Sequence, residues 1–436
     1  MTVDERPPEP APAPRPPADP ALDQYRARMR RARGRYYLVL AAIAVVVLAV
    51  VGIAWSRGEI THTHLHTAAT PAPTVTPAVP ADAVSLAWRT SDHSATGTPW
   101  WGGTVVTYDR HSVRGRNAAT GAVTWSYTRT NRVVCTAMQT FGLTVTVFEV
   151  NGNCDEVTTL DSQTGARKWE RTLDEVGQPV NGHPAFSVSQ YTIMVTTPTV
   201  IYAFDPISGI DRFVFSQQNC VIHGSVLGSS GALISQTCVK PNCDGKSFCG
   251  AGPQLLLRDG QNSRNDSDSK NPDRIIWNKI GNADLPATAD QLVSALDPGA
   301  GVLQRFDAAK GKPLSTIPVQ STAGSPRIDQ VATSGADLVL IGAITYAIDL
   351  THYAAIWHVA SAPLPTVTAP SGDASSVPVL ATAIVAAATA QGVDLLDGAT
   401  GRVTRTVAMT TAAIGSTAYP LGSGFVLSGP STEVYR

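Results

Sequence analysis

The residues able to do chemistry are few and mostly scattered. His62, His64 and His66 alternate, so in an extended segment they share one face and could together ligate a metal ion. No acidic or sulfur ligand accompanies them, and a solvated polar stalk is the plainer reading. Asp266, Asp268, Asn271 and Asp273 could offer oxygens to calcium, with a solvated hairpin loop as the alternative. His93, His111, His183, His223, His352 and His358 stand singly, as hydrogen-bonded structural histidines do. The sequence contains no His-Glu-x-x-His, no Gly-x-Ser-x-Gly and no Walker loop. No catalytic residue and no metal site is assigned.

The six cysteines, Cys135, Cys154, Cys220, Cys238, Cys243 and Cys249, form an even set, which reads as three disulfides in an oxidising compartment. Proximity favours Cys135 with Cys154, Cys220 with Cys238, and Cys243 with Cys249. The alternative is a zinc site at Cys238, Cys243 and Cys249, for which a fourth nearby cysteine is lacking.

The most regular carboxylates belong to a repeat. Asn117-Ala-Ala-Thr-Gly121-Ala-Val-Thr-Trp125 and Asp161-Ser-Gln-Thr-Gly165-Ala-Arg-Lys-Trp169 share the pattern D/N-x-x-T-G-x-x-x-W. Further copies begin at Asp205 with Gly209 and Phe213, Asp307 with Gly311, Asp349 with Trp357, and Asp397 with Gly401; a stretched copy runs from Asp259 to Trp277. Alternating apolar residues precede each motif, as a half-buried strand requires. The Asp or Asn can cap the next amides in an Asx-turn, and Gly supplies the positive φ that closes a hairpin. The aromatic then lies on the returning strand, where its ring can fill the gap between neighbouring sheets. These aspartates are turn formers before they are acids.

Trp88, Trp125, Trp169, Phe213, Trp277, Ser315, Trp357 and Arg405 mark that slot, at steps of 37, 44, 44, 64, 38, 42 and 48 residues. About 43 residues suffice for a four-stranded antiparallel sheet, and radially repeated sheets make a propeller. The long step holds an insertion between Cys238 and Asn271, the loop most removed from the repeat. Trp88 has no motif before it, and Ser431–Arg436 is a strand lacking an outer partner. Pairing them makes Val84–Thr90 the outermost strand of the blade built from Thr410 to Arg436, and removes two free edges. The expected fold is all-β, an eight-bladed β-propeller over 83–436; seven blades is the alternative if the Ser315 or Arg405 unit is not a blade.

Ahead of the propeller the composition changes twice. Residues 1–37 carry eight Arg against five Asp or Glu, with eight prolines in 7–20, and read as a disordered tail. Residues 38–55 are an uncharged apolar run of 18, about 27 Å as a helix, with Tyr36, Tyr37 and Trp55 at its ends. Arginines crowd its N-terminal flank alone, so the tail is expected in the cytoplasm and the propeller outside, on a single-pass anchor. Residues 56–82, with Pro71, Pro73, Pro77 and Pro80, are expected to be an extended linker. Formal net charge is −1, so no overall basic field exists to hold nucleic acid.

The D-x-x-[ST]-G-x-x-x-W repeat resembles the pyrroloquinoline-quinone-type repeat of quinoprotein dehydrogenases and BamB-like envelope propellers. WD40 repeats place their Trp before the Asp, whereas here it follows the Gly. The Pro-rich tail, Arg cluster and single apolar span are similar to those of membrane-anchored actinobacterial propellers. A dehydrogenase of this kind implies calcium, an acidic base and, in several members, adjacent cysteines; the sequence has no Cys-Cys pair and no Cys-x-x-Cys-His haem site. The expected function is thus a non-enzymatic module, without cofactor, that binds a protein or cell-envelope component. The alternative is a quinone- or small-ligand-binding enzyme using the central funnel.

Overall fold

The structure, a computed structural model, describes residues 43–47, 59–76, 78–96, 103–140, 142–150, 152–173, 184–189, 192–217, 219–239, 251–260, 274–281, 284–289, 292–320, 336–360, 365–368, 384–409 and 416–436. They fall in two compact units, Met1–His62 and Thr63–Arg436. In the first, residues 43–47 are helical with Ile43, Val45, Val46 and Val47 exposed, and Glu59–His62 forms one helical turn. The expected tail 1–37 and most of the span 38–55 lie outside the described residues. Among those described, no helix is long and apolar enough to cross a membrane.

The second unit is eight antiparallel sheets, the blades of a propeller. Within a blade the described strands follow chain order from the axis outward, with the last at the rim, except in blade 8, whose rim strand comes from the start of the propeller; three strands of blade 6 are described. From blade 1 to blade 8 the rim strands are Val123–Arg129, Arg167–Thr172, Asp211–Phe215, Ile275–Ile280, Pro313–Pro318, Ala354–Ala360, Val403–Ala408 and Leu86–Thr90. Sequence sets this gradient. Inner strands such as Thr192–Thr196 and Ile201–Phe204 are apolar or threonine-rich and buried on both faces. Rim strands alternate, as in Val123–Arg129, where Trp125, Tyr127 and Arg129 are buried and the residues between them are not. The core is correspondingly divided. Eight apolar clusters occur, each drawn from two consecutive blades, and one of them joins Val105 and Ala118 of blade 1 to Tyr419, Val426 and Val434 of blade 8. The Ser315 and Arg405 units are complete participants, so the count is eight.

Closure follows the expected pairing. Leu86 lies opposite Tyr435, Trp88 opposite Val434 and Thr90 opposite Thr432. Ser85 and Arg436 exchange two backbone hydrogen bonds of 2.8 and 2.9 Å.

Two expectations are corrected. The segment expected to be an extended linker holding the propeller off the membrane is docked on the propeller from Thr63 onward. Thr63–His66 pairs antiparallel with Val123–Arg129 as a fifth strand on blade 1. The chain then bonds Ala68 N to Thr164 O, packs Val75 among Tyr419, Leu421 and Trp88, and bonds Ala81 N to Ser423 O. Its prolines remove donors, while the amides of Ala68 and Ala81 find acceptors on the turns they cross, and Ala72 and Val75 pack between. Nor is the stretch from Cys238 to Asn271 one insertion. Strand Gly252–Arg258 divides it, because Leu255, Leu256 and Leu257 are fully buried in the third position of blade 4.

Candidate functional site

The repeat residues are brought together, but across blades rather than within one. Each motif turn is built locally. Asp161 Oδ1 accepts the amides of Gln163 and Thr164 and the Thr164 hydroxyl, and Gly165 N donates 2.8 Å to Asp161 O. Asn117, Asp205, Asp307, Asp349 and Asp397 cap their turns in the same manner. Burial works to raise the Asp161 carboxyl, but the Thr164 amide and the Lys168 ammonium outweigh it, and its pKa falls below the ordinary value. Asp205 is lowered likewise, its burial outweighed by Ser208 and then Arg212. Such carboxylates are held ionised as hydrogen-bond acceptors.

The tryptophan that follows a motif reaches the turn of the next blade. Trp125 Nε1 donates 2.9 Å to Ser162 O and its ring covers Gly165. A Cβ on Gly165 would lie 2.6 Å from that ring, and the residue's φ is +72°, so both space and backbone demand glycine. The same lock joins Trp88 to Ala118 and Gly121, Trp169 to Pro206 and Gly209, Trp277 to Ala308 and Gly311, and Trp357 to Gly398 and Gly401. Each buried ring contributes about 1.5–3 kcal/mol of apolar transfer, and its hydrogen bond adds about 1 kcal/mol.

Where the slot departs from Trp, its counterpart departs too. At Phe213 the turn of the next blade lies outside the described residues, and the Arg258 guanidinium carbon lies 3.8 Å from the Phe213 ring centroid. Ser315 supplies no ring to its seam, and Tyr353 of the next blade packs into that seam. Tyr353 stands where the motif has Gly, at φ +52°, and is buried among Leu292, Leu303 and Ile317. Burial pushes its phenol pKa up. Arg405 faces the junction where blade 8 has no motif turn, and bonds to Asp82 and the Pro80 carbonyl of the N-terminal segment instead.

Cys135 is bonded to Cys154 and Cys220 to Cys238, each pair inside one blade; Cys243 and Cys249 lie outside the described residues, as do Asp266, Asp268, Asn271, Asp273 and His183. The single histidines are engaged. His111 Nδ1 is 2.5 Å from Arg132 O, His223 Nε2 2.8 Å from Thr237 Oγ1, His352 Nδ1 2.6 Å from Asp349 Oδ2, and His358 Nε2 2.8 Å from Gln320 Nε2. His64 and His66 are exposed on the fifth strand of blade 1, and no group of three or more metal-ligating side chains occurs among the described residues.

Two charged networks went unnoticed in the sequence because their members belong to no motif. Asp92 sits between Arg114 and Arg116 at 3.0 and 2.7 Å, where blade 8 passes to blade 1. Burial would raise its carboxyl, and the two guanidinium groups more than reverse that, lowering its pKa. Between blades 1 and 2 the buried Arg129 pairs with Glu156 at 2.7 Å and donates to Tyr127 at 3.1 Å. Both networks tie blades together.

Residues 76–213, which hold the closing strand and blades 1 to 3, match the family model described as outer membrane protein assembly factor BamB. Over those residues the chain is similar to the PQQ-type repeat of the BamB-like propellers. BamB from Moraxella catarrhalis aligns at 15% identity and TM-score 0.46, covering 81% of this chain and 99% of that one. The computationally designed Ika8 protein aligns at 11% and 0.48, covering 81% and 99%. Dihydro-heme d1 dehydrogenase NirN, in complex with DHE, aligns at 10% and 0.50, covering 83% and 80%, and shares the fold. No curated protein matches the sequence. A quinone with calcium and adjacent cysteines does not fit the described residues of this ring. Its four described cysteines are consumed in two separate disulfides, and its motif carboxylates accept turn amides.

Proposed function

We propose that this protein is a single-pass membrane protein whose BamB-like propeller stands outside the cytoplasm and holds a partner protein or envelope component without catalysing a reaction. The observation that carries the reading is where the repeat's chemistry goes. Its described carboxylates cap turns and its tryptophans lock one blade to the next. The result is a rigid ring that offers loops and rims as binding surface. Two disulfides support an oxidising, extracytoplasmic setting, and the uncharged run 38–55 behind an arginine cluster supports the anchor. Protease added to intact cells is expected to remove the bulk of the chain and spare an N-terminal fragment; full protection of the propeller would defeat this topology. Cross-linking on those cells is expected to return one recurring partner.

A further inference from the structure

The rims of the eight blades are edge strands, and an edge strand presents unpaired backbone groups unless charge, proline or another strand blocks it. Six rims carry such a block in their own sequence. Blade 2 has Arg167, Lys168, Glu170 and Arg171; blade 3 has Asp211 and Arg212; blade 4 has Lys279; blade 7 has Arg405; blade 8 has Arg89. Blade 5 is bounded by Pro313 and Pro318. Blade 1 has one charge, Arg129, which is fully buried, and this rim carries the added strand Thr63–His66.

Blade 6 remains. Its rim strand Ala354–Ala360 is seven residues long, with neither charge nor proline. Ala354, Ala355, Ile356, His358 and Ala360 are exposed, and Ile356 keeps 45% of its surface in contact with solvent. Among the described residues no strand pairs with its outer side.

We infer that the blade 6 rim, Ala354–Ala360, is a docking edge that takes up an extended, uncharged segment of a partner protein as a fifth strand. This inference rests on the binding-module reading above and names the surface used. Blade 1 supplies the precedent. There a rim whose one charge is buried is paired antiparallel with the four residues Thr63–His66, which carry no acidic or proline residue. Backbone hydrogen bonds would provide affinity, and an apolar residue of the partner against Ile356 would provide register.

The test uses the full chain in its own cells, with a benzophenone amino acid at Ala355 and, separately, at Leu314 on the proline-bounded rim of blade 5. A single recurring adduct is expected from Ala355 and none from Leu314. Ile356→Lys, which puts a charge on the edge, should reduce that adduct at least tenfold, and Ile356→Thr should keep it, with both variants melting at the wild-type temperature. An Ala355 adduct that survives Ile356→Lys would overturn strand addition. An adduct of twice the chain's mass would replace the partner with a second copy and also overturn it. A recurring partner captured from Leu314 or Ile207 but never from Ala355 would defeat the edge and leave the binding module standing. No recurring partner from any position would defeat both.

Discussion

Five junctions between blades use one lock, Trp over Gly with an indole N–H to the neighbouring carbonyl, and three do not. At the three, Phe213 meets Arg258, Tyr353 packs among Leu292, Leu303 and Ile317 of the blade that carries Ser315, and Arg405 meets Pro80 and Asp82. The regular junctions show what the repeat specifies. The irregular ones show that the specification is a volume and a partner, which either blade can supply. A propeller must be filled at every seam, so where Ser315 and Arg405 stand in place of Trp, Tyr353 and the Pro80–Asp82 segment supply the contact.

The sharpest way to break this comparison is to empty a regular seam. Trp125→Ala should cost about 3–5 kcal/mol, seen as a large fall in the thermal midpoint. Next comes the inverted seam. Ser315→Trp should cost about 1–3 kcal/mol by crowding Tyr353, and Tyr353→Gly should destabilise by opening a cavity. The double variant rebuilds the Trp–Gly lock and should recover about 0.5–3 kcal/mol of coupling in a double-mutant cycle. Purely additive losses would mean that the two positions are not exchanging volume.

A smaller effect concerns the carboxylates. Asp92, Asp109, Asp161 and Asp205 have folded pKa values below their ordinary ones. Groups of this kind stabilise the fold above the unfolded carboxyl range, about pH 4, and lose that contribution as pH falls through the folded value. Midpoints measured from pH 6 to pH 2 should therefore drop below about pH 4, and Asp92→Asn should make the drop shallower. The least consequence is expected at the third irregular seam, since Asp82 is largely exposed. Arg405→Ala should cost about 1 kcal/mol or less; a loss as large as that of Trp125→Ala would make the N-terminal segment a principal lock.

Much of this ring was legible in the sequence, because its period is carried by residues with single physical roles. Trp88 without a preceding motif pointed to the pairing with 432–435, and the Asp–Gly spacing to the turns. The sequence did not reveal which turn each ring covers, because the contact crosses to the next blade and leaves no local trace. The pair of departures at Ser315 and Tyr353, in adjacent repeats, was a usable signal of it. Thr63–His66 was hidden because four polar-alternating residues among prolines look like a stalk unless the bare rim of blade 1 is known. The split insertion could have been found from Leu255–Leu257, an apolar run too long for a loop. The docking edge is a property of comparison among rims, visible only when all eight are aligned.

The closing strand also fixes a timetable for synthesis. Ser85 and Arg436 are separated by 351 positions, which a ribosome covers in roughly 20–70 s at ~5–20 residues per second. Throughout that interval Leu86–Thr90 waits without its mate, a sticky ribbon that a neighbouring nascent chain could capture. Whatever escorts this polypeptide during translation must keep those five residues apart until 432–435 has emerged.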